Sequence, residues 1–386
     1  MARRVFFHIG APKTGTTFLQ TVMWHNKEEL RAQGVLYPGA KRMDHFHATR
    51  QVQGVSVEHL GDDAGAWTTL VRELADWPDT GVITHEFFSR TSRRRARRAI
   101  RALAPAEVHV VLTARDYARQ FPAVWQEALK MKSDLSFDEF MDKALASDLR
   151  GAWGWRTQDV VAVLRRWGRT LPPERIHVIT VPRPGAPRDL LWKRWCEVLG
   201  LDPSRFDLDV AFENESVGAA QAALLHRVKP HLSELFDDGL QRHRWFRQYL
   251  GHEVLVPQQG ERFGLRAHQW SQLREFSVSA VKAIEEEGYD VIGDLAELVP
   301  DAVPPERPHP DDVTDAEIVD VAARAIEQMV RDVRTATVER NEWKRRALAA
   351  AQSPAATRSG TARLARRLRR LGRRVRRRVR RTRAID

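Results

Sequence analysis

Short apolar runs alternate with longer amphipathic segments over the first two hundred residues. The apolar runs are rich in β-branched residues and predict strands, and the segments between them have the 3.6-residue period of helices. The predicted strands are 5–9, 81–84, 108–113 and 176–181. The predicted helices are 17–32, 67–77, 93–104, 116–130, 137–147, 157–169 and 188–199. Strands that alternate with helices favour βαβ units, so we expect an α/β fold of three layers with a mostly parallel central sheet.

The second half of the chain is predicted to be mainly helical. Few strand signals occur from residue 216 to about 288, and residues 300–313 hold five prolines, which is typical of a linker. Thr314 and Glu317 have the spacing of a capping box and predict a helix that begins there. The expected organisation is a catalytic domain at 1–299, a Pro-rich linker at 300–313, a helical extension at 314–352 and an Arg-rich tail at 353–386.

The net charge of +12 belongs to the C-terminal tail. Residues 353–386 contain 14 arginines and one acidic residue, so the rest of the chain is nearly neutral. The single cysteine, Cys196, excludes an intrachain disulfide and favours a reducing compartment, and its helical, apolar context predicts an inert core thiol. No secretory signal or apolar run of membrane-spanning length is evident, so we expect a cytoplasmic protein.

The first predicted strand leads directly into Gly10-Ala11-Pro12-Lys13-Thr14-Gly15-Thr16-Thr17. A strand, a glycine-bounded loop and a helix in this order present backbone N–H groups to a phosphate. The two glycines have the spacing of the ATP-binding P-loop, but the lysine lies two residues before the second glycine and Thr16 takes the usual lysine position. We therefore expect a P-loop-like fold whose loop binds a 5′-phosphate that need not belong to a triphosphate.

This loop resembles the 5′-phosphosulfate loop of sulfotransferases that use 3′-phosphoadenosine 5′-phosphosulfate (PAPS), most of all bacterial members. The resemblance extends over roughly residues 3–295. It implies that PAPS is the sulfuryl donor, that adenosine 3′,5′-bisphosphate is the product and that no metal is required. The donor-binding residues that it implies in the loop are Pro12, Lys13, Thr14, Gly15, Thr16 and Thr17.

Arg115 follows the third predicted strand, where an arginine can pair bidentately with a phosphate. The resemblance assigns it the 3′-phosphate of PAPS. Many members of the family have a serine eight residues later, but this chain has Ala123, and the candidate substitutes are Arg119, Gln120 and Gln126. The alternative for Arg115 is an ordinary surface ion pair.

The second predicted strand ends at Thr84-His85-Glu86, and either of the last two residues could accept the proton of an acceptor hydroxyl. We favour Glu86 as the base because a carboxylate is common in relatives with this type of loop, and His85 is the second candidate. On an extended backbone the two side chains would face opposite ways. Lys13 would stabilise the charge that develops on the bridging oxygen. The alternative is that the pair only caps the following helix.

The residues do not identify the acceptor, which can be a carbohydrate, a lipid or another metabolite with a hydroxyl group. Seven arginines between residues 90 and 101 form either a solvated basic face or a surface that guides an acidic acceptor, such as an anionic glycan, to the base. No residues have the spacing of a metal site, and the pair His45 and His47 is expected to be structural or to face the acceptor. The oligomeric state stays open.

Apolar residues recur every three or four positions among the arginines of 362–383. A basic amphipathic helix of this kind is typical of an element that binds an anionic membrane surface, so a peripheral location on the inner face of the membrane is expected. Non-specific nucleic-acid binding and an unstructured tail are the alternatives, and no specific nucleic-acid partner is indicated. For the whole chain, the alternatives to a sulfotransferase are a P-loop kinase and a non-catalytic protein on a P-loop scaffold.

Overall fold

Six strands form a single sheet in which every pair of neighbours is parallel. The structure, a computed structural model, describes residues 1–131, 133–210, 216–232 and 238–352. The strands are β1 Arg4–His8, β2 Val35–Leu36, β3 Thr80–Thr84, β4 Glu107–Ala114, β5 Ile176–Thr180 and β6 Asp290–Ile292. Their order across the sheet is β2-β3-β1-β4-β5-β6. The predicted α/β class and parallel sheet are confirmed.

Helices connect the strands and make up most of the second half of the chain. In the described residues, the α-helices are α1 Thr16–His25, α2 Lys27–Ala32, α3 Asp44–Val52, α4 Val57–Leu60, α5 Ala66–Ala75, α6 Arg93–Arg101, α7 Tyr117–Lys130, α8 Phe137–Leu145, α9 Trp155–Gln158, α10 Val160–Gly168, α11 Leu190–Leu199, α12 Ala219–Leu232, α13 Gly239–Arg242, α14 Ala267–Glu287 and α15 Asp315–Gln352. A π-helical segment, His243–Leu255, follows α13. None of these helices is both long and apolar enough to cross a bilayer.

Both faces of the sheet are covered, which gives the three expected layers. Phe6 belongs to a buried cluster with residues of α1, α2 and α11 on one face. Its neighbour Phe7 contacts the rings of Trp67 and Trp167, from α5 and α10, on the other face. Adjacent residues of a strand point to opposite faces, so two consecutive phenylalanines are sufficient to anchor both helical layers.

The strand order brings three segments together at one edge of the sheet. β1 lies between β3 and β4, and His8 at its end pairs with Thr84 of β3 and Val111 of β4. The residues that follow β1, β3 and β4 are therefore neighbours, although they are about 75 and 105 positions apart in sequence. Ligands of parallel α/β sheets bind at this carboxyl edge.

Some predicted boundaries differ from the observed ones, for local reasons. The single helix expected at 17–32 is interrupted at Asn26, whose side chain bonds the backbone of Val22 and Asp207. The helix expected at 157–169 is divided into α9 and α10 at Asp159, which accepts a hydrogen bond from the N–H of Ala162. The edge strands β2 and β6 have only two and three residues, too few to show an alternating pattern.

The chain divides into a first compact unit, Met1–Val321, and a second that begins at Ala322. Residues 300–313 lie within the first unit. Asp311 accepts hydrogen bonds from the N–H groups of Phe137 and Asp138 at the start of α8. The tail 353–386, with the proposed membrane-binding helix, lies outside the described residues.

Candidate active site at the carboxyl edge of the sheet

The loop after β1 contains three residues with a left-handed backbone conformation. Gly10, Lys13 and Gly15 all have positive φ angles, of 113°, 66° and 83°. A Cβ atom on Gly10 would lie 2.7 Å from the carbonyl oxygen of Glu86, so only glycine allows this approach of the two segments. The α1 helix begins directly after Gly15, and its N-terminal N–H groups lie beside Lys13.

A buried hydrogen-bond chain supports this loop from below. The Thr14 hydroxyl donates to the carbonyl of Ala11 over 2.5 Å and lies 2.6 Å from Oγ1 of Thr113. Oγ1 of Thr113 also bonds the carbonyl of Gly10 over 3.2 Å and Nε2 of His8 over 3.3 Å. Nδ1 of His8 bonds Thr84 over 2.7 Å. Burial lowers the pKa of His8 to about 3, so the ring is neutral and can donate from one nitrogen and accept at the other.

Lys13 pairs with a buried carboxylate that the sequence did not single out. Its Nζ lies 3.4 Å from Oε1 of Glu127, which also lies 3.6 Å from Nζ of Lys130 and accepts a 3.1 Å hydrogen bond from Arg247 at Oε2. Burial opposes ionisation of Glu127, but these three cations outweigh it and hold its pKa at about 2. One buried carboxylate therefore contacts three cations beside the loop.

Arg115 connects the end of β4 to the phosphate loop. Its NH1 donates to the carbonyl of Lys13 over 3.2 Å, while its Nε is buried with no hydrogen-bond partner among the described residues. Burial lowers the pKa of Arg115 to about 10, and the positive charges of Arg119 and Arg262 act in the same direction. An unsatisfied donor in a positive environment has the properties of an anion contact.

Arg115 also lines a cavity of about 690 Å³. The cavity is also lined by Ala123, which stands at the position of the family's serine. Two of the candidate substitutes for that serine, Arg119 and Gln126, line the same cavity. Arg119 is hydrogen-bonded to Asp116 and Pro182, and Gln126 to the backbone of Val217.

A serine reaches this cavity from another segment. Ser216 lines it, and the neighbouring Gly218 packs so closely on Gly260 that a Cβ atom would lie 2.4 Å from the carbonyl carbon of Gly260. Arg262 also lines the cavity, so Ser216 adds a hydroxyl group to a lining that already includes Arg115 and Arg119. Asn214 and Glu215, which directly precede Ser216, lie outside the described residues.

Glu86 follows β3 and begins a 3-10 helix, Glu86–Arg90. Its Oε2 accepts a 3.2 Å hydrogen bond from the side chain of Gln20 on α1. Burial raises the pKa of Glu86, but His85, the residue's own N–H and Gln20 lower it more, so the pKa lies below its ordinary value. Glu86 is therefore ionised at neutral pH and has an acceptor oxygen, Oε1, in addition to the one that Gln20 binds.

His85 is less suited to accept a proton. Its Nδ1 accepts a 3.2 Å hydrogen bond from the N–H of Phe87, so a neutral ring carries its proton on Nε2. Burial lowers its pKa, which the negative charge of Glu86 opposes. Nδ1 lies 3.7 Å from Oε2 of Glu86, so the two side chains lie close together instead of facing opposite ways. The chain leaves the extended conformation at Glu86, which removes the alternation that the sequence suggested.

The other loop residues have different surroundings. The carbonyl of Pro12 accepts a 3.4 Å hydrogen bond from Gln120, so this candidate substitute for the serine supports the loop and is not among the residues that line the cavity. Thr14 and Thr16 are buried, and Thr17 is exposed. The Thr14 hydroxyl is engaged by Ala11 and Thr113 inside the protein.

Sequence reasoning missed several residues that hold these groups in place. They are His8, Gln20, Thr113, Glu127 and Arg262. Gln20 had a detectable signal, since it lies four residues after Thr16 on the same face of α1. Glu127 had none, because an acidic residue within an amphipathic helix normally faces water.

One group of potential metal ligands occurs among the described residues, and an arginine is already bound to it. Asp138, His309 and Asp311 lie together, but the guanidinium of Arg266 donates to both carboxylate oxygens of Asp138 over 2.6–2.9 Å. This group is a structural connection between α8 and residues 309–312. The buried His45, of the pair noted in the sequence, bonds the Pro38 carbonyl and the N–H of Thr84.

No family model matches the chain, and no curated protein matches it. A solved structure, of a sulfotransferase from Alicyclobacillus acidocaldarius, is 18% identical to this chain with a TM-score of 0.36. The alignment covers 63% of this chain and 94% of that one. We draw no functional argument from a similarity of this size.

Proposed function

We propose that this protein is a sulfotransferase that moves a sulfuryl group from PAPS to a hydroxyl group. The observation that carries the proposal is the convergence of Lys13, Arg115 and Glu86 at the ends of three adjacent strands. The first two are cations suited to the two phosphate positions of the donor, and the third is a carboxylate suited to a base.

The residues present fit this donor. The glycines of the loop and the N-terminus of α1 can surround a 5′-phosphate, with Lys13 beside it. The unpartnered Nε of Arg115, with Ser216 and Arg262 on the same cavity, can bind a 3′-phosphate. The volume of about 690 Å³ is in the usual range for a site that holds a small molecule.

When bound, the donor supplies the sulfuryl group, whose bond to the bridging phosphate oxygen breaks as the acceptor oxygen bonds to sulfur. Glu86 accepts the hydroxyl proton at Oε1 while Gln20 holds Oε2. Lys13 and the loop N–H groups stabilise the negative charge left on the phosphate. The buried chain through Thr14, Thr113 and His8 keeps the loop in the conformation that this role requires.

Thermal unfolding with nucleotides tests the proposal. Adenosine 3′,5′-bisphosphate without metal should raise the Tm, because a ligand that binds only the folded state stabilises it by RT ln(1 + [L]/Kd), about 2.7 kcal/mol at a hundred times Kd. Lys13→Ala and Arg115→Ala should abolish the shift. Arg188→Ala, which removes an exposed arginine away from the cavity, is the matched control and should retain it.

Two results would contradict the proposal. Stabilisation by ATP with magnesium but not by the bisphosphate would identify a P-loop kinase. Stabilisation by neither nucleotide would favour a non-catalytic protein on this scaffold.

A further inference from the structure

A second cavity, of about 540 Å³, begins four residues after Glu86. Four arginines line it, Arg90, Arg95, Arg150 and Arg156, and none of the described residues that line it has a carboxylate. The lining also includes three residues with hydroxyl groups and one aromatic residue, namely Thr91, Ser92, Ser147 and Trp155. The lining is therefore cationic and rich in hydrogen-bond donors.

The positive charge of this cavity is not neutralised locally. Within the described part of the chain, Arg90 and Arg156 have no carboxylate partner, and Arg150 pairs only with the exposed Asp148. Burial and the charge of Arg156 both lower the pKa of Arg90. They also lower the pKa of Arg166 to about 10. Like charges held together without an anion produce a positive potential that concentrates anionic ligands.

A third cavity, of about 440 Å³, continues the basic surface along α6. Arg93, Arg94, Arg97, Arg166 and Arg169 line it. Arg166 connects the two cavities, because its guanidinium donates to the carbonyl of Arg156 and, over 2.7 Å, to that of Ser89. An elongated anion with several charges fits this arrangement better than a single small anion does.

The second cavity is physically linked to the proposed base. Glu86 and Arg90 are the two ends of one 3-10 helix, about 8 Å apart at roughly 2 Å per residue. Gln53, which lines the cavity, donates to the carbonyl of Phe87 over 2.5 Å. The ring of Phe87 lies 5.4 Å from that of His85 and 5.7 Å from that of Trp153. Phe87 thus connects the 3-10 helix that holds Glu86 and Arg90 to a second half-buried ring, that of Trp153.

We propose that this surface binds an acidic carbohydrate, whose carboxylate or sulfate groups pair with Arg90 and Arg156 while a neighbouring hydroxyl reaches Glu86. The planar guanidinium groups match such anions bidentately, and the rings of Phe87 and Trp153 offer apolar faces on which sugar rings can pack. The inference rests on the proposed function, since it names the class of acceptor for that reaction.

Calorimetric titration of the full-length protein with an oligogalacturonate hexamer tests the inference. We expect the hexamer to bind and its fully methyl-esterified form, which lacks the charges, not to bind. The double variant Arg90→Gln/Arg156→Gln should weaken binding at least tenfold. The control Arg72→Gln/Arg188→Gln removes the same charge from exposed positions outside the cavities and should leave binding unchanged. All variants retain the basic tail, so its contribution is constant.

The outcomes separate the two proposals. Equal binding by both double variants, or equal loss in both, would overturn the carbohydrate site. Tighter binding of a single-stranded hexanucleotide through the same arginines would also overturn it, in favour of a nucleic-acid surface. Arginine-dependent binding of the hexamer in a protein that bisphosphate does not stabilise would support the carbohydrate site and contradict only the sulfotransferase reaction.

Discussion

Glu86 and His85 lie side by side, yet their hydrogen bonds give them different capacities. The backbone N–H of Phe87 occupies Nδ1 of His85, whereas Glu86 has one carboxylate oxygen bound by Gln20 and a second one as a proton acceptor. A base must have a lone pair available at the reacting proton. This difference favours the carboxylate, as the sequence also suggested.

Glu86→Gln should retain the bisphosphate-induced Tm shift and lower kcat by about 100-fold or more, which is the usual contribution of a general base. The pKa of Glu86 lies below its ordinary value, so wild-type kcat should be constant through neutral pH and fall only as acid protonates this carboxylate. Steady-state rates with labelled donor measure both effects. His85→Asn, which keeps an acceptor for Phe87, is the matched control, and a larger loss there than in Glu86→Gln would assign the base to His85.

Glu127→Gln removes a buried carboxylate that contacts Lys13, Lys130 and Arg247. A carboxylate with a depressed pKa stabilises the folded state above its unfolded pKa, and this contribution is lost as the pH falls through the folded value of about 2. We expect a loss of about 3 kcal/mol in unfolding free energy at pH 7, the typical cost of breaking a buried ion pair. The difference from wild type should shrink between about pH 5 and pH 2. Urea unfolding at several pH values measures it.

The same variant also tests the charge balance around Lys13. Without the Glu127 carboxylate, Lys13 loses the anion with which it pairs, so the bisphosphate should raise the Tm of Glu127→Gln more than that of wild type. A smaller rise would show that Glu127 positions Lys13 for the ligand instead of competing with it.

The ends of β1, β3 and β4 and the phosphate loop act as one element. His8 on β1 bonds Thr84 on β3 and Thr113 on β4, and Thr113 bonds the loop through Gly10 and Thr14. A neutral imidazole is well suited to this position because one ring nitrogen accepts a hydrogen bond and the other donates one. The conformation of the loop thus depends on three strands.

His8→Phe should lower bisphosphate affinity about tenfold, because two buried threonine hydroxyls lose a partner and the loop loses its support. His8→Gln, which can still donate and accept, should recover part of the affinity. The matched control is His109→Phe. His109 is a partly buried histidine near the N-terminal end of β4, far from Thr113, and its ring is hydrogen-bonded to His177. The substitution should lower the Tm without altering affinity, and an equal loss of affinity in this control would show that the His8 effect is a general loss of stability.

At the scale of the whole molecule, charge is distributed unevenly. Residues 1–352 are nearly neutral overall, while α6 and its surroundings form a local basic surface and residues 353–386 hold 14 arginines. These two basic regions are expected to have different partners. The first lies beside the proposed base, whereas the second is predicted from the sequence to bind an anionic membrane.

Deleting residues 353–386 should release the protein from vesicles that contain anionic lipid, since each arginine near such a surface contributes about 1 kcal/mol. Co-sedimentation with anionic and with neutral vesicles measures this. The bisphosphate-induced Tm shift should be unchanged, which shows that the rest of the chain is folded. Equal sedimentation of the truncated and full-length proteins would exclude the membrane role of the tail.

The sequence by itself determined the α/β class and the position of the glycine-bounded loop after the first strand, for which it predicts phosphate binding. Both depend on local patterns, namely the alternation of apolar strands with amphipathic helices and a glycine-bounded loop after a strand. It also predicted Arg115 and Glu86 as site residues, because the ends of parallel strands share one edge of the sheet.

Only the tertiary structure decided which side chains meet at that edge. Three of these associations join residues about 65 to 115 positions apart in sequence. They are Lys13 with Glu127, Gln20 with Glu86, and Ser216 with Arg115 at the same cavity. The edge strands β2 and β6 likewise exist through pairing with β3 and β5. No local period encodes such contacts, because they arise from strand order and helix packing across the whole domain.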